Sequence, residues 1–310
     1  MQQKTYNLIS NIQNGAGLQR DCEILFSILD KMGHRVRLIN YESNFTGINY
    51  TADVNIFLEV MVPEMLNFAP NNWLIPNSEW WRGEIGDLHI NRINKVLCKT
   101  HDCYNIWQKK LSGRCVYIGF EASDFYQSTA EKELSFLHLA GNSGTKNTEA
   151  VIEAWRQFRL PYKIDIVILN PAFRTLCFGV PGITYHQRIA ESHVHHAINS
   201  HLFHLIPAQY EGYGQALHEA LGCGGIVITT NAPPMNEFAG IPRELMIPSS
   251  GTFEKSLAIC HSVTPEGVAE AVMRAAALSK DQTRFMSAAA RQAFLDDREA
   301  FRVAFKELVK

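Results

Sequence analysis

Two glutamates eight positions apart, Glu211 and Glu219, bracket a Gly-Tyr-Gly turn in PAQYEGYGQALHEALGCGGIVITTNAPPMNE, residues 207–237. The apolar pattern predicts that the strand HLFHLIPA ends at this turn and that the helix QALHEALGC starts from it. The first backbone N–H groups of a helix have no partner inside it, and glycines at 212 and 214 let an anion approach them closely. A phosphate is the expected guest. Glu211 in the loop and Glu219 a turn or more inside the helix offer carboxylates at two depths. Carboxylates accept paired hydrogen bonds from vicinal hydroxyls and repel a bare phosphate, so a ligand carrying both sugar and phosphate reconciles glutamates with glycines. A capped surface helix with solvated acids fits the same spacing.

Other side chains have the right chemistry in less defined settings. In IPNSEWWRGE, Trp80 and Trp81 stand beside Glu79 and Arg82 after a strand, which suits a carbohydrate or base platform, domain packing or the contact of a homodimer. CKTHDCYNIW brings His101 and Asp102 to another strand end, where a histidine can position an acceptor hydroxyl or act as a base, or simply start a helix. His186, His193, His195, His196, His201 and His204 crowd one region without a matched Cys or carboxylate set, so no metal site is expected. The seven cysteines form no CxxC spacing and read as reduced cytoplasmic thiols.

The elements that must position these residues come as two series. TYNLIS, RVRLIN, DVNIFLEV, NWLIP, NKVLCK and RCVYIG are strand candidates, and LQRDCEILFSILDKMGH places Leu18, Cys22, Leu25, Phe26, Leu29 and Met32 on one helical face. Apolar periodicity lapses across SDFYQSTAEKE, which is read as a linker. A second series follows, from LSFLHLA through helix TEAVIEAWRQF, strand YKIDIVIL, helix YHQRIAESHVHHAIN and strand GIVITT to the strand-like RELMIP, with late helices over 265–277, 280–295 and 297–308. Alternation of this kind predicts an α/β protein of two doubly wound, Rossmann-like domains facing a central cleft, with ligands at the carboxyl ends of the strands. The divisions are residues 1–125, an acceptor-side domain; 134–290, a nucleotide-sugar-binding domain; and 291–310, a helix that packs back on the first domain.

EGYGQALHEALGCGGIVITT closely resembles the donor-site signature of GT-B glycosyltransferases of the family 4 kind, with its two glutamates separated by seven residues, and NAPPMNE resembles the segment that follows it. The resemblance implies that Glu219 binds nucleotide ribose hydroxyls, that Glu211 contacts the donor sugar, and that the amides of Gly212, Tyr213 and Gly214 hold sugar hydroxyls or phosphate. FLHLAGNSGTKNTEAVIEAW also looks like the family's diphosphate loop, with Lys146 matching its lysine. The usual arginine is missing, Asn142 or Ser143 standing near its place. Arg174 is a candidate second cation or an ordinary exposed arginine. In GVPGITYHQ, Ile183 and Thr184 match the segment that meets the nucleotide base, and serve equally as plain strand residues. NGAG resembles the acceptor-side glycine loop, so Gly15 and Gly17 are candidates to approach the donor phosphates. Asp21, a turn later, is a candidate to orient the acceptor, or an exposed first-turn acid favoured by the helix dipole.

The resemblance implies a hexosyltransferase that uses a UDP- or GDP-sugar as co-substrate, with retention of configuration and no metal or other cofactor. The acceptor hydroxyl is open among saccharide, lipid-linked saccharide, protein and modified DNA base. A net charge of −2 gives no global footprint for duplex nucleic acid. MQQKTYNLIS lacks the apolar run of a signal peptide, and no stretch approaches a membrane span, so a cytoplasmic protein is expected. The alternatives are a degenerate transferase-like module that binds a nucleotide or protein, and a nucleotide-sugar 2-epimerase on the same scaffold.

Overall fold

A computed structural model describes residues 2–12, 17–43 and 49–310. The chain divides into two compact units. The first comprises Met1–Ala122, Glu254–Ala258 and Asp297–Lys310, and the second Ser123–Phe253 and Ile259–Asp296.

In the first unit the elements run β1 Thr5–Ser10, α1 Gly17–Lys31, β2 Arg35–Asn40, β3 Val54–Glu59, β4 Asn71–Pro76, α2 Gly83–His89, β5 Lys95–Cys98, α3 His101–Lys110 and β6 Cys115–Tyr117. The sheet order is β2-β1-β3-β4-β5-β6, with every described pair parallel. Its central strands read as unbroken apolar runs, Ile56, Phe57 and Leu58 or Val96, Leu97 and Cys98, because helices cover the sheet on both faces. A polar seam crosses this core. Asn55 accepts from Asn7 Nδ2 (2.9 Å) and donates to Asn72 Oδ1 (2.8 Å) and the Met65 carbonyl (3.0 Å), tying β1, β3 and β4 together.

The second unit contains β7 Glu133–Gly141, α4 Thr148–Phe158, β8 Ile164–Ile168, α5 Ala172–Cys177, β9 Ile183–His186, α6 Glu191–Ser200, β10 His201–Ile206, α7 Gln215–Gly222, β11 Ile226–Asn231, β12 Ile247–Pro248, the ribbon β13 Gly251–Lys255 and β14 Ala258–Ser262, and α8 Pro265–Ala276. Its parallel sheet has the order β12-β11-β10-β7-β8-β9. Phe136, Trp155, Ile166, Phe203 and Val272 centre one core, which joins α4 and α8 to the sheet.

Four features depart from the sequence pattern, the first being that Tyr185 and His186 of the expected helix YHQRIAESHVHHAIN belong to β9 and the helix begins at Glu191. RELMIP is a 3-10 turn, Arg243–Leu245, followed by the two-residue β12, since prolines at 242 and 248 leave little ladder to form. The expected late helices 280–295 and 297–308 are one helix, α9 Lys280–Val309, because no glycine or proline interrupts it and the aspartates at 296 and 297 are tolerated in its interior. The ribbon was not foreseen; its tip belongs to the first unit, where Ser256 Oγ donates to the Trp81 carbonyl (2.5 Å) and Leu257 N to the Ser78 carbonyl (3.2 Å).

Asn55→Leu leaves one Asn7 N–H, whose partner hydrogen goes to the Tyr50 carbonyl, and the Asn72 and Met65 oxygens without these partners in the core, so it should cost about 3 kcal/mol, read as a lower urea midpoint at unchanged m-value.

Candidate functional site

The second sheet is built outward from its middle. The chain lays down β7, β8 and β9 to one side, then returns to add β10, β11 and β12 on the other, so the direction of growth reverses between β7 and β10. At such a switch point the loops after the two strands leave in opposite directions and expose the strand ends. Here those loops are 142–147 and 207–214.

Lys146 from the first loop forms an ion pair with Glu211 from the second, and both side chains are nearly buried, at 11% and 12% exposure. The backbone around them is braced. Asn147 sits in the left-handed region (φ 47°), which Asn tolerates better than most residues. That turn sends its side-chain amide to the Pro207 carbonyl (2.8 Å) and the His261 carbonyl (3.3 Å), while Gln209 N donates to the Thr145 carbonyl (2.8 Å). The two loops therefore brace one another, and two residues singled out from separate sequence motifs meet.

Gly214 caps α7 with φ +86°, a conformation that disfavours any side chain. Tyr213 before it stacks on His218 (3.9 Å, 9°), and Phe238 meets the His218 ring edge-on (4.5 Å). His218 Nδ1 lies 3.1 Å from the Gly214 carbonyl, which only accepts, so this nitrogen carries the proton. Nε2 of the same ring is buried without a partner among the described residues. Glu219, next in the helix, is buried at 2% exposure. On the far side, Thr229 and Thr230 of β11 donate their hydroxyls to the Ile206 and Ala208 carbonyls (2.7 Å each), satisfying β10 where it leaves the sheet. The small residues after α7 have a steric reason too: a Cβ on Gly225 would lie 2.3 Å from the His204 ring.

His138 of β7 links the parts, with Nδ1 donating to the Leu205 carbonyl (2.7 Å) and Nε2 accepting from the Thr148 hydroxyl at the start of α4 (2.9 Å). Burial pushes the imidazoles of His138 and His218 down to about 4 and that of His204 to about 3. These rings are neutral framework, leaving Lys146 as the cation of the two loops.

The remaining expected site residues lie elsewhere. Asn142 is exposed in the turn after β7, Gly212 is half-buried, Ile183 packs on the core of edge strand β9, and Thr184 and Arg174 are exposed. His101 opens α3, exposed, with its ring stacked on Tyr117 at 4.0 Å. Gly17 begins α1, whereas Gly15 lies outside the described residues.

Two readings are corrected. Asp21 is not an exposed first-turn acid; it lies in the second turn of α1, buried, and pairs with Lys99 at 3.0 Å. Trp81 is not a ligand platform: it is buried, donates Nε1–H to Asp87 (2.9 Å) and packs edge-on against Trp107. Trp80 is half exposed, with the Lys255 ammonium 3.3 Å from its ring centre. Among the clustered histidines, His186 and His201 share Asp165 (3.5 and 3.2 Å). No group of three His, Cys, Asp or Glu among the described residues could hold a metal ion. Sequence reasoning missed His138, Asn147 and His218. An Asn just before a helix was the one available signal, since that residue type accepts a left-handed backbone.

No protein-family profile and no curated protein matches the sequence. Solved structures do match it. A glycosyltransferase from Rickettsia africae ESF-5 superposes with a TM-score of 0.72 at 13% identity over 99% of this chain and 98% of that one. WaaG, a glycosyltransferase involved in lipopolysaccharide biosynthesis, gives 0.67 at 15% over 98% of each. The pneumococcal O-GlcNAc transferase GtfA, solved with UDP and GlcNAc, gives 0.61 at 15% over 82% of this chain, which spans only 56% of that protein's length. Two parallel six-stranded sheets with alternating helices, shared with these proteins, make the fold GT-B. Among the described residues, no helix is long and apolar enough to cross a membrane.

The buried histidines set a pH response. The unfolded chain takes up these protons near pH 6.5, but the folded chain refuses them until about 4 or 3, so between those values the unfolded form binds more protons and stability rises with pH. Stability should therefore fall on acidification from pH 6.5 toward 4, by up to ~1.4 kcal/mol per pH unit for each ring. Urea titrations at pH 7 and 5 check it, and His204→Leu should flatten the dependence.

Proposed function

We propose that the chain is a glycosyltransferase that moves a hexose from a nucleotide-diphosphate sugar to a hydroxyl acceptor. The observation that carries this is the Lys146–Glu211 pair at the switch point of the second sheet, beside the glycine-capped start of α7. One group suits a phosphate and the other a sugar hydroxyl, and both already stand where open parallel sheets take ligands. The likeness of EGYGQALHE to the family 4 signature and the UDP held by the pneumococcal neighbour support a UDP- or GDP-sugar donor.

In this reading Lys146 exchanges Glu211 for a diphosphate oxygen, and Glu211 turns to the donor sugar. Glu219 takes the ribose hydroxyls, and the amides of Gly212, Tyr213 and Gly214 face sugar or phosphate, with Asn142, Ile183 and Thr184 at the margins. The bond from the anomeric carbon to the diphosphate oxygen breaks with its electron pair going to phosphate, whose charge Lys146 and the amides stabilise. The acceptor oxygen bonds to the anomeric carbon on the same face and its proton passes to the leaving phosphate. This gives retention without a metal, and seven free thiols suit a cytoplasmic setting.

A second reading, a binding module without transfer, is favoured by one feature. Glu211 consumes the charge of Lys146, and the family's usual arginine is missing from that loop. Thermal shift against UDP, GDP, ADP and CMP, followed by slow hydrolysis of the matching labelled nucleotide sugars, separates the two. A donor site leaks sugar to water; a module binds and releases none.

Glu219→Gln should weaken nucleotide binding about tenfold or more by thermal shift or calorimetry. Lys146→Ala should lose on the order of 2–4 kcal/mol of transition-state stabilisation in kcat/KM. Unchanged values in both variants would remove this site from the reaction.

A further inference from the structure

The first sheet reverses its growth between β1 and β3, and a second set of charged groups gathers at the carboxyl ends of its strands. Glu59 closes β3, Asn77 follows β4, Lys99 follows β5, and Asp21 reaches in from α1. The backbone at Glu59 is unusual. With φ +71° it is the centre of a three-residue turn in which Val60 N donates to the Leu58 carbonyl at 3.0 Å, the positive-φ γ-turn that is rare and strained for any residue but glycine. Nothing about the turn itself requires a glutamate.

The neighbours hold the carboxylate in place at a further cost. Asn77 Nδ2 donates to Glu59 Oε2 at 2.9 Å, which leaves Asn77 Oδ1 buried with no partner among the described residues. Among those residues no hydrogen bond reaches Glu59 Oε1, and the side chain is only partly buried. Lys99 is committed to Asp21, both almost wholly buried. Burial raises the Glu59 carboxyl above its ordinary value, Asp21 adds to this, and Asn77, Lys99 and Arg82 oppose it. The cluster thus has hydrogen-bond acceptor capacity to spare at Glu59, with Lys99 committed to Asp21 and the exposed Arg82 the further cation acting on it, a composition that invites hydroxyl donors. Strained residues that persist beside a switch point are characteristic of ligand sites.

We propose that Glu59 is a binding residue for the acceptor, its Oε1 taking a hydroxyl of a neutral saccharide in the first unit, with Asn77 as the residue that positions it. The word acceptor rests on the transferase reading; the saccharide site itself does not.

Methyl α-glucoside, methyl α-galactoside and methyl α-mannoside serve as probes in saturation-transfer NMR with the full chain, alongside melting curves and nucleotide thermal shift. The native protein should bind at least one glycoside. Glu59→Gly should weaken that binding about tenfold while the melting temperature stays level or rises, because glycine relieves the positive φ. Asn77→Ala should weaken it less, and neither variant should alter the nucleotide shift. A native protein that binds none of the probes overturns the proposal. So does a Glu59→Gly variant that binds as well as native, or one that melts several degrees lower, which would make Glu59 a structural residue. Nucleotide binding reports on the transferase reading separately: its loss with Glu59-dependent glycoside binding intact would sink the donor site and leave this one standing.

Discussion

The ion pair between Lys146 and Glu211 is the constraint around which the second unit is organised. Two nearly buried charges survive only where each compensates the other, since removing water from a lone ammonium or carboxylate costs several kcal/mol. Each partner sits on a loop from a different strand, so holding them together requires both loops to be stiff. That stiffness comes from short-range devices: a left-handed Asn147 whose amide spans to Pro207, a backbone bond from Gln209 to Thr145, and threonines of β11 that satisfy carbonyls beyond the end of β10. His138 then fixes β7, β10 and the first residue of α4 with one ring. An anion that entered would compete with Glu211 for the lysine. The pair therefore keeps the cation desolvated and aimed, at the expense of having to open.

The first unit uses the same topology with a different balance of charge. Its buried cation, Lys99, is locked by Asp21, and the surplus group is an acceptor, Glu59. Two sheets of one architecture thus present opposite chemistry at their switch points, one able to yield a cation and the other a carboxylate. Identical connectivity explains neither choice; the residue closing each strand does. This is why the GT-B fold, shared here at 13 to 15% identity with three solved transferases, specifies where ligands go and not what they are.

Much of this architecture was legible in the sequence, for identifiable reasons. Buried parallel strands are short apolar runs bounded by polar loops, and Gly33, Gly212 and Gly214 mark turns whose backbone needs are local. The EGYGQALHE turn was readable because a helix start, a glycine conformation and two carboxylates coincide within nine residues. Long-range pairings were not. Nothing near Asp21 announces Lys99, 78 residues away, so a dipole-favoured surface acid was the natural reading of a residue that proves to be buried. Trp81 misled for a related reason: adjacent tryptophans point to different surroundings, one into the core against Trp107 and one half into solvent under Lys255. Glu59 carried no signal at all, because a positive φ on a non-glycine residue is imposed by tertiary context.

The shape of the Gly-Tyr-Gly turn depends in turn on the charge state of a buried ring. Tyr213 lies flat on His218 and Phe238 closes their edge, so the turn is wedged between aromatic surfaces and not held by glycine alone. A protonated His218 would put a cation with an unsatisfied Nε2–H into that apolar stack, which is why burial drives its pKa to about 4. Neutrality leaves Nε2 a bare lone pair needing no donor as strictly as an N–H needs an acceptor, while Nδ1–H stays on the Gly214 carbonyl and holds that residue in its left-handed cap. A neutral aromatic wedge thereby keeps imidazolium charge out of the turn.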